Sequence, residues 1–350
     1  MHMSESSSIA QAWRPVVTRA DRFHWLLGAR VAVAFVGPVV VAHVTGRWQH
    51  DAPIVAIAAL LVSLIGGALP PGRIRRTSAP LLVAALPVAA LVDSAVPPHS
   101  ATGIGLLVLA ALVAGLAPLR SAGAGAVASA FALALIVLGH VPGTSHSVML
   151  LLFGGAAAMA LVVVTDVLRH PRLGLPALPA PAVLAIDSAE RRRHAVRLAV
   201  TLGAVATLVA LVGESTPFAA HSSWMLLGVW IALQPHAHLT RHMAVQRGVG
   251  TALGGLVTVL LAATMPHGLW IGWVFLALAF VAFGLRTVNY SWYCVLLTPI
   301  IVLGFADLTL DGQVLLARIT WTAAGVLVAV VASHVLWSRT SRPVLAPASA

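Results

Sequence analysis

The chain has 350 residues, of which 59% are hydrophobic and only 9% charged, whereas soluble domains carry roughly 25% charged residues. Its formal net charge of +11 rests on 21 basic residues, all of them arginine; without a lysine there is no Walker A lysine, Schiff-base lysine or lysine nucleophile. The single cysteine, Cys294, excludes an intrachain disulfide and a cysteine-based zinc site.

So apolar a chain avoids water only inside a bilayer. Its arginines punctuate hydrophobic runs, so they read as loop charges and contacts to anionic lipid headgroups, not as a nucleic-acid surface. Residues 1–23 are polar and basic, lack a cleavable signal pattern and form a cytoplasmic N-terminal segment.

A bilayer crossing takes about 20 predominantly apolar residues. The runs that qualify are 24–44, 53–69, 79–97, 102–118, 123–141 and 147–168, then 193–212, 217–235, 247–265, 268–286, 289–306 and 313–337. Arginines fall at alternate ends of these runs: Arg14, Arg19 and Arg22; Arg73, Arg75 and Arg76; Arg120; Arg169, Arg172 and Arg191 to Arg193; Arg241 and Arg247; Arg286; Arg339 and Arg342. The opposite loops carry Asp51, Asp93, Glu214, Asp307 and Asp311, with Arg47 as the exception. The positive-inside rule then puts both termini in the cytoplasm.

Residues 169–192 form a Pro/Arg-rich cytoplasmic linker, and Asp187-Ser-Ala-Glu190 at its end resembles a capping box that starts the seventh helix. On either side, Ala29-Arg30-Val31-Ala32-Val33 matches Val196-Arg197-Leu198-Ala199-Val200, and at the same offset Val44-Thr45-Gly46 matches Leu211-Val212-Gly213. Each half holds an even number of spans, so two copies share one orientation. The predicted fold is an all-α membrane protein of about twelve transmembrane helices in two parallel six-helix repeats, 24–168 and 193–337, with a cytoplasmic tail over 338–350. Pro38, Pro87 and Pro299 interrupt spans and free backbone carbonyls.

The richest stretch is Trp224 to Gly255. An apolar run ends at Gln234-Pro235, a short basic loop with three histidines follows, and a second helix opens with Arg247-Gly248-Val249-Gly250-Thr251. In that helix Arg247, Gly250, Thr251 and Gly254 fall at i, i+3, i+4 and i+7, one face. The plain use of this stretch is a topology-setting loop and a GxxxG packing face; the sharper one is an anion site. Arg30 and Arg197 sit a turn inside their helices, where they either snorkel to headgroups or line the inner mouth of a path. Arg318 lies a turn into the last helix from the outer side, where positive charge is disfavoured, so it must face protein, water or an anion. Asp166 reads as an interfacial ion pair near Arg169 and His170, with a proton relay as the alternative. His236, His238 and His242 have a ligand-like spacing, but no cysteine or carboxylate lies near them, so no metal site and no cofactor is expected. No nucleophile elbow, HExxH, paired acidic motif or phosphate loop occurs, so an enzyme is not expected.

Two motifs carry a resemblance. Trp224…Gln234-Pro235…Thr240-Arg241…Gln246-Arg247…Gly250-Thr251…Gly254, together with Val288-Asn289-Tyr290…Leu297-Thr298-Pro299, resembles the signature of the fusaric acid resistance-like (FUSC) proteins of the aromatic acid exporter family. The resemblance covers about 193–337; the first half matches by helix count and Arg30 alone. It implies a multi-pass exporter of aromatic carboxylic acids or similar organic anions in the bacterial inner membrane. Larger relatives carry a soluble cytosolic domain that this chain lacks, and some work with a periplasmic adaptor. An aromatic carboxylate asks for a planar cationic fork and flat apolar walls. The candidates are Arg247, Arg197 and Arg318 with Thr251 and Thr298 for the charge, and Trp224, Trp230, Tyr290 and Trp292 for the ring. The rival readings are an anion-channel-like protein of the same fold, a non-transporting membrane scaffold and, last, a membrane-embedded transferase.

The loop charges make a direct expectation. Tags placed after Ala350 and in the 169–192 linker should be reached only from the cytoplasm, and a tag near Pro98 only from the periplasm. Impermeant labelling of cells that reached the linker tag would overturn the count of spans.

Overall fold

The computed structural model describes residues 23–46, 50–70, 72–139, 141, 143–168, 187–212, 221–264, 270–304 and 312–337. All regular structure among them is helical. The helices are α1 (Trp25–Thr45), α2 (Ala52–Ala68), α3 (Arg73–Ala95), α4 (Ala101–Leu116, continued by a 3₁₀ turn, Ala117–Leu119), α5 (Ala122–Val137) and α6 (Ser145–Leu168). The second half holds α7 (Ser188–Val212), α8 (Ser223–Ala232), α9 (Ala237–Thr264), α10 (Trp270–Leu285), α11 (Tyr290–Gly304) and α12 (Gly312–Trp337). In hydrocarbon a helix satisfies its own backbone, which is why apolar runs of this length take that form. Polar ends are closed locally: Ser100 and Ser121 accept from the amides of Gly103 and Ala124 at 3.0 Å, each capping a helix.

Among the described residues, seven helices are long and apolar enough to cross a membrane, and five shorter apolar ones accompany them. Leu81, Leu109, Met149, Phe153, Leu211, Leu256 and Leu327 stand well exposed on the outer surface. Large apolar side chains turned outward along many helices suit lipid rather than water, and the chain is a multi-pass membrane protein. The predicted runs 217–235, 268–286 and 289–306 extend into residues that lie outside the described ones, as do most of the 169–192 linker, both termini, Arg169, His170 and the outer carboxylates Glu214, Asp307 and Asp311.

Helix pairing follows one scheme in both halves. Within the first, α1 packs on α2, α2 on α6, and α3 on α5 and α6. Within the second, α7 packs on α8, α8 on α12, and α9 on α11 and α12. The two halves interlock, because α1 lies against α10 and α7 against α4. Phe35 of α1 meets Phe283 of α10 edge to face at 6.3 Å, in a core shared with Val31, Ala279 and Tyr293.

Charges inside this frame are mostly paired. Arg75 at the start of α3 bonds Asp166 in the last turn of α6 and the carbonyl of Leu69. Asp166 thus forms an ion pair, here with Arg75; Arg169 lies outside the described residues. At the other end of α6, His146 meets Asp51 at 3.0 Å. Arg30 is buried and donates to the Ser63 carbonyl at 3.2 Å, with its guanidinium filling the space beside Gly67.

One expectation about the Trp224–Gly255 stretch needs correction. The basic loop with three histidines is not a loop: α9 already begins at Ala237, so Arg247 lies in its third turn instead of opening it. The chain breaks only over Leu233 to His236. There the Thr240 hydroxyl accepts from the Gln234 amide at 3.0 Å, and the Gln234 side chain donates to the Ile231 carbonyl at 2.8 Å. Those two residues close the end of α8 and start α9, so that His238 and His242 ride on helix. Among the described residues no group of three or more potential ligands could hold a metal.

Helices α9 and α11 approach backbone to backbone through two glycines. A Cβ on Gly250 would lie 2.7 Å from both the Ser291 carbonyl oxygen and the Cys294 Cβ; one on Gly254 would lie 2.7 Å from the Thr298 Cβ and 2.8 Å from the Val295 carbonyl oxygen. Val295 is four residues before Pro299, which has no N–H to offer it, so that freed carbonyl rests against glycine. Gly254→Leu should therefore fail sterically, giving membrane levels well below wild type and a lowered unfolding temperature in detergent. Normal levels of that variant would show that the crossing tolerates separation.

Candidate functional site

The α9–α11 crossing carries Arg247 one turn ahead of Gly250 and sets it beside Tyr290, the first residue of α11. Arg247 is 7% exposed, and its Nη1 donates to the Tyr290 hydroxyl at 3.1 Å. Gly255 turns α9 toward α12, where a Cβ would meet Ile319 at 2.7 Å. Arg247 and Thr251 project between these two contacts, over the groove that α11 and α12 form on α9.

From the other side of the groove comes Arg318, in the second turn of α12 and 6% exposed. Its guanidinium lies over the ring of Trp224, 4.9 Å from the centroid. Trp224 is held in turn by His221, stacked at 5.1 Å. Arg318 and Arg247 stand within electrostatic reach of one another and of Tyr290, Tyr293 and Cys294. Arg286 adds a third cation at the rim, 5.9 Å over the Tyr293 ring. Gly255 meets Ile319, next to Arg318, two turns of α9 beyond Arg247, so the two cations spring from staggered levels.

Neither buried guanidinium has a carboxylate partner among the described residues, and Nε of each has no hydrogen-bond partner there. A buried cation without a counter-charge is costly, and two of like sign in one groove more so. An anion entering the groove relieves both costs at once. Around it stand a phenol, a thiol and a threonine hydroxyl, which suit an oxyanion, and the faces of Tyr290, Tyr293 and Trp224.

The structure gathers Arg247, Thr251, Arg318, Trp224 and Tyr290, and it puts the other sequence candidates elsewhere. Arg197 is buried on α7 and bonds Glu190 of the same helix at 2.8 Å, so its charge is already met. Trp230 packs between the first-half core and the α7–α8–α12 core. Trp292 is two positions beyond Tyr290, about 200° around α11, and its amide takes the Asn289 cap at 3.3 Å. Thr298 donates to the Cys294 carbonyl at 2.8 Å and packs against Gly254, which makes it part of the crossing. Missing from the sequence reading were Tyr293, Cys294 and Arg286. The first two were findable, since they follow Tyr290 at i+3 and i+4 on one face.

Because Arg318 occupies the Trp224 ring, the tryptophan holds the cation rather than offering its free face. A cation–π contact of this kind contributes roughly 0.5–2 kcal/mol. Trp224→Leu should weaken anion binding about 2- to 30-fold while Trp224→Phe keeps most of it, as measured by titration of the purified protein. Equal losses for both would mean that the indole does something other than hold Arg318.

No curated protein and no solved structure matches the chain. Residues 205–332 match the family model described as fusaric acid resistance protein-like, a stretch that contains Trp224, Arg247, Tyr290 and Arg318 and leaves Arg197 outside. Residues 205–332 of this membrane protein are therefore similar to the fusaric acid resistance protein-like family, and Arg247 and Arg318, which have no carboxylate partner among the described residues, lie within the match.

Proposed function

We propose that the chain is a secondary transporter that exports small organic anions, aromatic carboxylic acids foremost, across the bacterial inner membrane. A fusaric acid resistance protein-like domain points to membrane transport and efflux. The observation that carries the anion is the pair Arg247 and Arg318, buried in one groove without carboxylate partners among the described residues. Guanidinium suits a carboxylate because its planar fork can donate two parallel hydrogen bonds. The neighbouring Tyr290 and Tyr293 give the flat walls that an aromatic ring prefers. The staggered cations offer successive resting places, so that an anion passes from one to the other without meeting bare hydrocarbon.

Energetics favour the outward direction. A monoanion leaving a negative-inside cell gains about 2.3 kcal/mol per 100 mV, and the chain has no nucleotide motif that would drive the step otherwise. The matched pairing scheme of the halves supports two parallel six-helix repeats with twelve spans. The ends of the helices agree with alternation, since Arg75 meets the end of α6 whereas Asp51 meets its beginning. Both termini are then cytoplasmic. Anionic headgroups would bind the exposed Arg73, Arg76, Arg120 and Arg241.

Substitution at Arg247 tests this reading. Arg247→Gln removes a charge-assisted contact worth about 1.5–3 kcal/mol, on the order of ten- to a hundredfold in substrate affinity. Lysine keeps the charge without the fork, so Arg247→Lys should recover efflux in part. The readout is efflux of a panel of aromatic acids from cells matched for membrane levels of the protein. Wild-type rates for Arg247→Gln would reduce Arg247 to a topological charge, and a deletion strain with unchanged acid sensitivity and content would remove export altogether.

A further inference from the structure

The two halves bury their side chains in the same registers but fill them differently. In α3, two residues out of step with the offset that relates Arg30 to Arg197, the buried residues Leu82, Ala85, Leu86, Ala89 and Ala90 repeat the spacing of Arg247, Gly250, Thr251, Gly254 and Gly255 in α9. In α6 the buried Leu151, Gly155, Ala158 and Val162 repeat that of Arg318, Thr322, Gly325 and Ala329 in α12. In α2 the buried Ala58, Leu61, Val62 and Gly66 repeat that of Met225, Gly228, Val229 and Leu233 in α8, which leaves Ile57 in the place of Trp224. The offset that relates Arg30 to Arg197 puts Gly123 and Val127 where Tyr290 and Cys294 stand.

These counterparts share one apolar core. Leu82 and Leu151 are 0% exposed and belong to one apolar cluster, against which Ile57 and Val127 pack. Every polar or cationic member of the groove thus has an apolar or glycine counterpart. The first half meets its described charges elsewhere, pairing Arg75 with Asp166 and His146 with Asp51 near helix ends and setting the buried Arg30 on the Ser63 carbonyl.

We infer that the chain holds one anion centre, built by the second half alone, and that the matching place in the first half is closed by Leu82, Leu151, Ile57 and Val127. The inference rests on the reading of the Arg247–Arg318 groove as anion-binding. One anion is then carried per chain, and the first half is the solid body against which the second works. In physical terms the centre retains buried charge where an apolar filling was available, as the first half demonstrates with the same helix packing. Replacing a buried charge by an apolar side chain of similar volume is often neutral or stabilising, whereas placing an unpaired charge in an apolar core is not.

The test uses the purified full chain in lipid nanodiscs, with radiolabelled salicylate as the probe and thermal unfolding as a second readout. Expected are one saturable salicylate per wild-type chain, none for Arg318→Leu, and an Arg318→Leu unfolding temperature equal to or above wild type. Leu151→Arg should unfold far below wild type or fail to accumulate. Two salicylates per chain, or one that survives Arg318→Leu, would overturn the single centre and leave anion export standing. No saturable salicylate binding by the wild type would remove the anion reading itself. In that case an Arg318→Leu chain markedly less stable than wild type would also overturn the inferred asymmetry, by making Arg318 a structural residue.

Discussion

The site depends on how closely α9 can approach α11. Gly250 and Gly254 present no side chain to the carbonyls of Ser291 and Val295, so the two backbones meet without an intervening layer. With that spacing, a side chain one turn before Gly250 lands on the first residue of α11, and the Arg247–Tyr290 bond follows. The same crossing takes up the carbonyl that Pro299 leaves unbonded. Separation of the helices by the width of one methyl group would expose that carbonyl and lengthen the Arg247–Tyr290 contact together. Packing and chemistry are therefore one constraint here.

Around the crossing, the molecule distributes charge by a simple division. Arg75, Arg197 and the exposed arginines at helix ends have carboxylates, carbonyls or water. Arg247 and Arg318 have instead a phenol and an indole, which attract a cation without cancelling it. A buried carboxylate in either place would make a stable ion pair and fill the groove permanently. Aromatic partners hold the guanidinium in position and leave its charge available to an anion, as the proposed carrier would require.

The interlocking of the halves gives this division a mechanical setting. Because α1 lies on α10 and α7 on α4, neither half has a complete core of its own. Any movement of α9, α11 and α12 against the rest must be accommodated at those exchanged helices. Trp230, packed between the first-half core and that of α7, α8 and α12, sits at one of the two seams.

The residues alone were enough to determine the membrane setting, the helical runs, the glycine face and the oddity of Arg318, since hydrophobicity, 3.6-residue periodicity and loop charge are local properties. Gly250 and Gly254 could be read as a contact face from their spacing, and Tyr290 from its motif. The extent of α9 could not, because the histidine-bearing stretch reads as polar until the Thr240–Gln234 bonds turn it into helix. Nor could the fate of each arginine. Arg75 finds Asp166 91 positions away, Arg197 finds Glu190 two turns back, and Arg247 and Arg318, from different helices, come within electrostatic reach of one another and meet no carboxylate among the described residues. Whether a buried charge is neutralised depends on which helices pack side by side, and only the tertiary structure decides that.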